Sequence, residues 1–349
     1  MLRVGLRNPG MVSCRATTAI PPIILPFPER RIFNGWEQNI LAMDVLSIIV
    51  TIAGLCLFEA ITSIDNAVIN AEVLQTMGER ARRWFITWGL LISVFLVRAA
   101  LPWLIVWFSI PSLGPLGALT ATFSSDPSVV QAVEQSAPII LMGGGMFLIF
   151  IFMHWLFLEE KEHAHWGEPF FESKGVWFFA CVSAILALVV WMALQVDQMM
   201  AFSAVLGSTA FFIVHGFRQN AEVQERNLMG GNLLDTSKIL YLEVIDATFS
   251  LDGVVGAFAF TLSVPLIIIG SGLGAVMVRH ITVSGAEKIT QYRYLKNGAM
   301  YSIAVLGLIM VLDSFGVSIP VYVSPLVTFG IVGFFLYRSI LFRKENTGV

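Results

Sequence analysis

Five acidic residues in this sequence lie inside stretches that are otherwise apolar. They are Glu59, Asp65, Glu243, Asp246 and Asp252. A charged side chain at the centre of a bilayer costs about 2.5–3.5 kcal/mol on insertion scales. Acids in such stretches are therefore expected to face a cavity, a partner or an ion. Carboxylate oxygens are the ligands that Mg²⁺, Ca²⁺ and Mn²⁺ prefer, so these residues suggest the binding of a hard divalent cation.

The acids belong to two copies of one motif. Residues 55–68 align without a gap over residues 242–255, and both copies read acidic-Ala-x-x-Ser-aliphatic-Asp. One helix later, a glycine and an arginine with eight residues between them recur as well. The matched residues are Glu59 with Asp246, Ser63 with Ser250, Asp65 with Asp252, Gly89 with Gly270 and Arg98 with Arg279. Two ordered matches indicate an internal repeat.

Helical spacing places the polar residues of each copy on one stripe. At 100° per residue, the polar residues of each copy fall on one face of their own helix. The stripe of the first copy consists of Glu59, Thr62, Ser63, Asn66 and Asn70. The stripe of the second copy consists of Glu243, Asp246, Ser250 and Gly253. Asp65 and Asp252 sit about 120° away from these stripes. We expect a helix break near 63–66 and another near 250–253, which would let both carboxylates converge and would free backbone carbonyls as ligands.

The charge balance within the apolar stretches is acidic. The intramembrane arginines are Arg98 and Arg279, so the five acids exceed them by three. The surplus must be protonated or matched by cations. The alternative is structural, in which single acids pair with these arginines.

Composition places the whole chain in a bilayer. Its 349 residues are 56% hydrophobic and 13% charged, with a mean hydropathy of +0.78. A membrane helix needs roughly 20 apolar residues, and about nine such runs occur. They lie near 45–71, 84–108, 138–158, 176–194, 199–217, 239–262, 264–278, 298–312 and 321–337. The predicted fold is an all-α polytopic membrane protein with about nine transmembrane helices and two inverted three-helix repeats.

Lysine and arginine in alternate loops set the predicted orientation, because basic residues stay on the cytoplasmic side. This pattern puts the N-terminus outside and the C-terminus in the cytoplasm, provided that Gln195–Gln198 forms a hairpin. The predicted regions are a disordered or mis-assigned tail (1–44), repeat 1 (45–158), a cytoplasmic loop with a two-helix insertion (159–217), repeat 2 (218–315) and a last helix with its tail (316–349).

Other polar and small residues have simpler interpretations. The loop with Glu159, Glu160, Glu162, His163, His165 and Glu168 is expected to be solvated, although it could gather metal. His154, His215 and His280 lie at span ends and are expected to be interfacial. Gly143, Gly144 and Gly145 indicate close helix contact in lipid. The three cysteines show no CxxC pattern, which argues against a disulfide framework or a thiolate zinc site.

At residues 63–68 and 246–255 the chain resembles the TerC family of integral membrane proteins, over about 45–337. It is closest to a long branch known only as a domain of unknown function. The founding name of the family refers to tellurite resistance, its members are linked to manganese export and metal homeostasis, and its lysine-exporter-like superfamily is built from inverted three-helix repeats. The resemblance implies a metal site formed by Glu59, Asp65, Asn66, Asp246 and Asp252, with Ser63, Asn70, Glu243, Ser250, Arg98 and Arg279 in support.

The expected function is therefore transport of a divalent metal, with Mn²⁺ export in a bacterial inner membrane as the specific form. The alternatives are an exporter of another solute, such as a basic amino acid, and a membrane assembly or metalation factor without flux. We do not expect an enzyme or a bound cofactor, although two carboxylates sharing a proton could support aspartyl chemistry. The expected partners are lipid and a divalent ion, not nucleic acid, and a homo-oligomer stays open.

Overall fold

The computed structural model describes residues 45–89, 92, 100, 103–104, 107–108, 111, 114–123, 127–161, 167–230, 235–285 and 292–347. Regular structure within these ranges is helical, and they contain no β-strand. The α-helices are α1 (Val45–Thr62), α2 (Ile64–Gln75), α3 (Glu79–Trp84), α4 (Gly114–Phe123), α5 (Pro127–Leu158), α6 (Glu168–Glu172), α7 (Phe178–Ala193), α8 (Gln198–Gly230), α9 (Asp235–Ala257), α10 (Val264–Gly285), α11 (Leu295–Ser314) and α12 (Val323–Thr347). A π-helical turn follows α3 and a 3-10 turn precedes α7. The all-α prediction is confirmed.

Six described helices are long and apolar enough to cross a membrane. These segments are Val45–Thr62, Gln135–Leu158, Gly175–Ala193, Gln198–Gln219, Leu295–Ser314 and Val323–Arg343. The apolar stretch Val264–Val278 in α10 is shorter, and α9 is not among the six because its acids interrupt the apolar run. Most of the predicted span 84–108 lies outside the described residues, as does the tail 1–44. The count of nine spans stays a prediction.

Close helix contacts form the centre of the bundle. Helix α5 packs against α8 and α11, while α10 packs against α1. The predicted contact at the triple glycine is confirmed, because a Cβ at Gly143 would lie 2.6 Å from Ser203 Oγ and one at Gly145 would lie 2.9 Å from the Gly307 carbonyl oxygen. Only a residue without a side chain allows these helices to approach so closely.

The segment Gln195–Gln198 is a turn between two packed helices. Helix α7 ends at Ala193, α8 begins at Gln198, and the two helices contact each other. Asp197 Oδ1 accepts the backbone N–H groups of Met199 at 2.5 Å and of Met200 at 3.3 Å, which satisfies free donors at the start of α8. The hairpin needed by the orientation prediction is therefore present.

The two predicted helix breaks have different outcomes. Helix α1 ends at Thr62 and α2 begins at Ile64, so the helix is distorted at Ser63. The backbone bonds nevertheless continue, because the Ser63 N–H donates to the Glu59 carbonyl oxygen at 3.1 Å and the Ala67 N–H donates to the Ser63 carbonyl oxygen at 3.0 Å, so these two carbonyl groups are not freed as ligands. The Thr62 hydroxyl donates to the Phe58 carbonyl oxygen at 2.9 Å beside it. The break near 250–253 is wrong, because α9 runs without interruption to Ala257. There the Ser250 hydroxyl donates to the Asp246 carbonyl oxygen at 2.6 Å and so finds its partner inside the intact helix.

Glycines that match in the repeat pack against opposite copies of the motif. A Cβ at Gly270 would lie 2.6 Å from Leu55 Cβ on α1. A Cβ at Gly89 would overlap the carboxylate of Glu243 on α9. Leu55 aligns with Leu242, which is next to Glu243 in the sequence. The glycine of the second copy therefore contacts the motif of the first copy, and the glycine of the first copy contacts the motif of the second. A two-fold relation between the repeats produces such an exchange, although the inverted repeat itself stays a prediction.

Candidate cation site

The first motif copy buries its glutamate beside the helix interruption. Glu59 is 1% exposed, and the Ser63 hydroxyl donates a hydrogen bond to Glu59 Oε1 at 2.5 Å. Hydrogen bonds from hydroxyl groups to carboxylates are short and strong. A Cβ at Gly274 would lie 2.6 Å from Glu59 Cβ, so α10 closes over this side chain. Ser63, predicted as a supporting residue, therefore holds Glu59 in place.

A buried hydrogen bond joins the two motif copies. Asn70 Nδ2 on α2 donates to Asp246 Oδ1 on α9 at 2.8 Å, and both residues are buried. Asn70 was predicted as a supporting residue and Asp246 as a ligand, and the two are 176 positions apart in the sequence. It places the polar stripe of one copy directly against the stripe of the other.

Asp252 forms an ion pair with an arginine that directly follows the apolar run 199–217. Arg218 Nη2 lies 2.5 Å from Asp252 Oδ2, and both side chains are largely buried. Helix α8 continues past Phe217 to Gly230, and the candidate span Gln198–Gln219 includes Arg218. Apolar composition alone ends the span at the first charged residue, although the helix itself goes on. Arg218 is thus a third arginine among the spans, and the surplus of acids falls from three to two.

Four predicted site residues have side chains outside the described part of the structure. They are Asp65, Asn66, Arg98 and Arg279. The backbone of Asp65 and Asn66 belongs to α2. Among the described residues, no three His, Cys, Asp or Glu side chains form a cluster that could hold a metal ion. The convergence of Asp65 with Asp252 therefore stays a prediction.

The described acids of the two copies nevertheless lie near each other. Glu59 and Asp252 lie on α1 and α9, which pack against each other. Asp252 is 8% exposed and Asp246 is buried as well. Glu243, predicted in support, is half-buried on the same helix, next to Gly89. The structure thus gathers buried carboxylates from both copies around the contact of α1, α2 and α9.

A polar cavity beside Asp252 was not predicted. Its lining includes Asp252, Arg218, His215 and His154, together with apolar residues of α5 and α8. The two imidazole rings lie 4.0 Å apart between centroids, and the charge of Arg218 acts on both. The interfacial assignment of these histidines missed their contact with each other. The available signal was the spacing of His215 and Arg218, which puts them on one face of α8.

The loop after α5 is less solvated than predicted. Glu168 is 0% exposed and accepts hydrogen bonds from Asn297 Nδ2 at 2.9 and 3.0 Å and from the Tyr301 hydroxyl at 3.0 Å. Glu159 forms an ion pair with Lys296. Hydrogen-bond and ion-pair donors on α11 hold both acids. The sequence of the acidic loop alone does not show that these donors lie nearby. His163 and His165 lie outside the described residues.

Lys161 closes the end of α5. Its ammonium donates to the carbonyl oxygens of Trp155 at 2.9 Å and Leu156 at 3.0 Å, which are acceptors of the last helical turn. Burial lowers the pKa of Lys161 from its usual value, while Glu172 and other acids nearby oppose the shift. The last turn of α5 is therefore held by a partly buried cation.

Together, the described residues form an all-helical structure with six helices long and apolar enough to span a membrane, and it buries carboxylates, an amide and an ion pair between its helices. The chain belongs to the family described as "Protein of unknown function (DUF475)", whose model matches residues 64–346. Searches of curated proteins and of solved structures found no match.

Proposed function

We propose that this protein transports divalent cations across a membrane, with Mn²⁺ as the preferred ion and export as the direction. The observation that carries the proposal is the burial of Glu59 and Asp252, two carboxylates of different motif copies, on helices α1 and α9, which pack against each other. Like charges in a low-dielectric bundle repel each other, and a bound cation removes that repulsion. Buried acids on two packed helices therefore favour a cation as cargo.

The chemistry of the donors favours a hard ion. Glu59, Asp246 and Asp252 offer carboxylate oxygens, which suit Mn²⁺, Mg²⁺ and Ca²⁺. The described thiols, Cys56 and Cys181, are free and lie on different helices, α1 and α7. A soft ion such as Cu⁺ prefers thiolate or thioether ligands.

The resemblance to the TerC family adds the choice of Mn²⁺ and the role in metal homeostasis. The repeat, if inverted as proposed, would form the site between its halves near the midplane, as many secondary transporters do. We also propose a bacterial inner membrane, with the N-terminus outside and the C-terminus in the cytoplasm, because basic residues alternate between loops. Whether the working unit is a homo-oligomer is left to the assay of purified protein.

Two other functions make different predictions. A basic amino acid exporter would use the same acids but needs space for a side chain, whereas the cavity beside Asp252 measures about 50 Å³. That volume suits a few water molecules or an ion with part of its hydration shell. A membrane assembly or metalation factor would bind metal without moving it across a membrane.

Flux in proteoliposomes tests the proposal. Purified protein is reconstituted into vesicles, and uptake of Mn²⁺, Mg²⁺, Ca²⁺, Zn²⁺, Cu⁺ and lysine is measured separately against protein-free vesicles. We expect Mn²⁺ to move fastest and lysine not to move. If lysine is transported and no metal is, the proposal is wrong and amino acid export takes its place. If metal binds but nothing is transported, the function of an assembly factor is favoured.

A further inference from the structure

The polar cavity connects the loop after α5 to the second motif copy. Glu159 in that loop and Asp252 on α9 both line it, and α8 contributes Arg218, which contacts Asp252. It measures about 50 Å³, enough for a few water molecules. A small ion that reached Glu159 from this side would therefore have a polar path to Asp252.

The ion pair at the inner end of the cavity uses only half of the carboxylate. Arg218 Nη2 contacts Asp252 Oδ2 at 2.5 Å. The second oxygen, Oδ1, is buried and accepts no hydrogen bond from the described residues. A structural arginine–carboxylate pair is frequently bidentate, and a stable buried pair satisfies the remaining lone pairs. This pair does neither, so Asp252 retains capacity for another cation.

A second ion pair lies at the outer end. Lys296 on α11 contacts Glu159, and the two side chains are 40% and 33% exposed. Water and salt screen a pair of this kind, so its partners exchange readily. Lys161 lies beside it and donates to the Glu159 carbonyl oxygen at 3.1 Å. Each acid that lines the cavity thus already holds a cation supplied by the chain.

We propose that this cavity is the route by which the cargo cation reaches Asp252, and that Arg218 is a tethered cation that occupies the carboxylate until the cargo displaces it. Lys296 fills the same role at Glu159. The inference rests on the proposed function, because it assigns a route and a competitor to the same cargo. Arg218 is a positioning residue here, since it acts on the cargo only through Asp252.

Binding of MnCl₂ to the purified protein tests the competition. The variant Arg218→Gln removes the charge, Arg218→Lys keeps it, and Arg83→Gln removes a charge from an exposed pair with Glu79 outside the cavity. We expect Arg218→Gln to bind Mn²⁺ about tenfold more tightly or better, because the dication no longer displaces a unit charge at contact distance. Arg83→Gln should bind as the wild type does, and Arg218→Lys should bind more weakly than Arg218→Gln because it keeps a competing charge. Equal or weaker binding by folded Arg218→Gln would overturn the inference.

Thiol accessibility tests the route without relying on metal binding. Val214, which lines the cavity, is changed to Cys in a protein whose Cys14, Cys56 and Cys181 are replaced by Ala. Silver nitrate is then added to one side of the vesicles, because Ag⁺ is a thiol-reactive cation small enough for a cavity of this volume, and the loss of free thiol is followed over time. We expect Arg218→Gln and Lys296→Gln to raise the reaction rate several-fold, and Mn²⁺ to slow it. Rates that do not change in either background would refute the gated route.

The two assays separate the inference from the proposed function. If the wild type transports Mn²⁺ but the Arg218 variants show unchanged binding and labelling, the transport proposal is supported and the role of Arg218 as a tethered cation is rejected. Absence of Mn²⁺ flux and binding in every variant would remove the transporter, while faster labelling in Arg218→Gln would still identify the ion pair as a gate. Should Arg218→Gln fold poorly because Asp252 is left unpaired, Lys296→Gln decides the labelling test.

Discussion

Gly207 on α8 offers a sharp test of the packing that positions the cavity. An ideal Cβ at this position would overlap the carbonyl oxygen of Gly143 on α5 and lie 2.8 Å from its carbonyl carbon. Carbon atoms prefer a separation of about 3.5–4.0 Å. The change Gly207→Ala must therefore push α8 and α5 apart by roughly 1 Å, since both contacting groups belong to backbone. Overpacking of this kind costs about 1–3 kcal/mol.

The same change should disturb the ion pair further along α8. Arg218 follows Gly207 by eleven positions, which is close to three turns and returns to the same face. Moving this face away from α5 and α9 lengthens the contact with Asp252. We expect Gly207→Ala to lower the thermal midpoint in detergent by roughly 5 °C and to reduce Mn²⁺ flux.

The matched control lies on the same helix. Gly216 is half a turn out of phase with Gly207, is exposed, and a Cβ there would meet nothing within 4 Å. Because alanine is the better helix former by about 0.5–1 kcal/mol, Gly216→Ala should be neutral or stabilising. Equal thermal midpoints for the two variants would refute the close contact of α5 with α8.

Two further predictions concern buried hydrogen bonds. Glu168→Gln should lower the free energy of unfolding by about 1.5–3 kcal/mol, because the charged acceptor of Asn297 and Tyr301 is lost. The control is Glu79→Gln, which changes an exposed ion pair. Equal denaturation curves for the two variants would contradict the stabilising role of the buried Glu168. A double-mutant cycle of Asn70→Ala with Asp246→Ala should give a coupling energy of about 1.5–3 kcal/mol, and a value near zero would disprove the link between the motif copies.

Much of the architecture could be predicted from the chain alone. The positions of α5, α7, α8, α11 and α12 follow from apolar runs, because a bilayer demands a fixed length of apolar helix. The distortion at Ser63 was predicted, because a break near 63–66 would let the carboxylates converge. The continuous helix at Ser250 was not, since the same residue type can bond inside an intact helix. Local sequence does not decide between these two outcomes.

The partners of the acids were the least predictable feature. Asp252 was expected to converge with Asp65, and the described partner of Asp252 is Arg218 from a different part of the chain. Likewise, Glu168 pairs with Asn297 and Tyr301 on α11. Such contacts depend on how helices pack over long sequence separations, which neither composition nor periodicity encodes. The repeat nevertheless identified Asp246 and Asn70, which meet across the two copies.

The central claim is that the repeated aspartates carry a divalent cation, and flux per folded molecule tests it most directly. Asp65→Asn and Asp252→Asn each keep the size of the side chain and remove one charge. Each should abolish most Mn²⁺ flux at normal abundance, nearly as completely as the double variant, because a dication facing one carboxylate keeps an uncompensated charge at low dielectric. Asp313→Asn, which changes a half-buried acid on α11 outside the motif, should retain flux. Normal Mn²⁺ flux in both single variants would contradict the account.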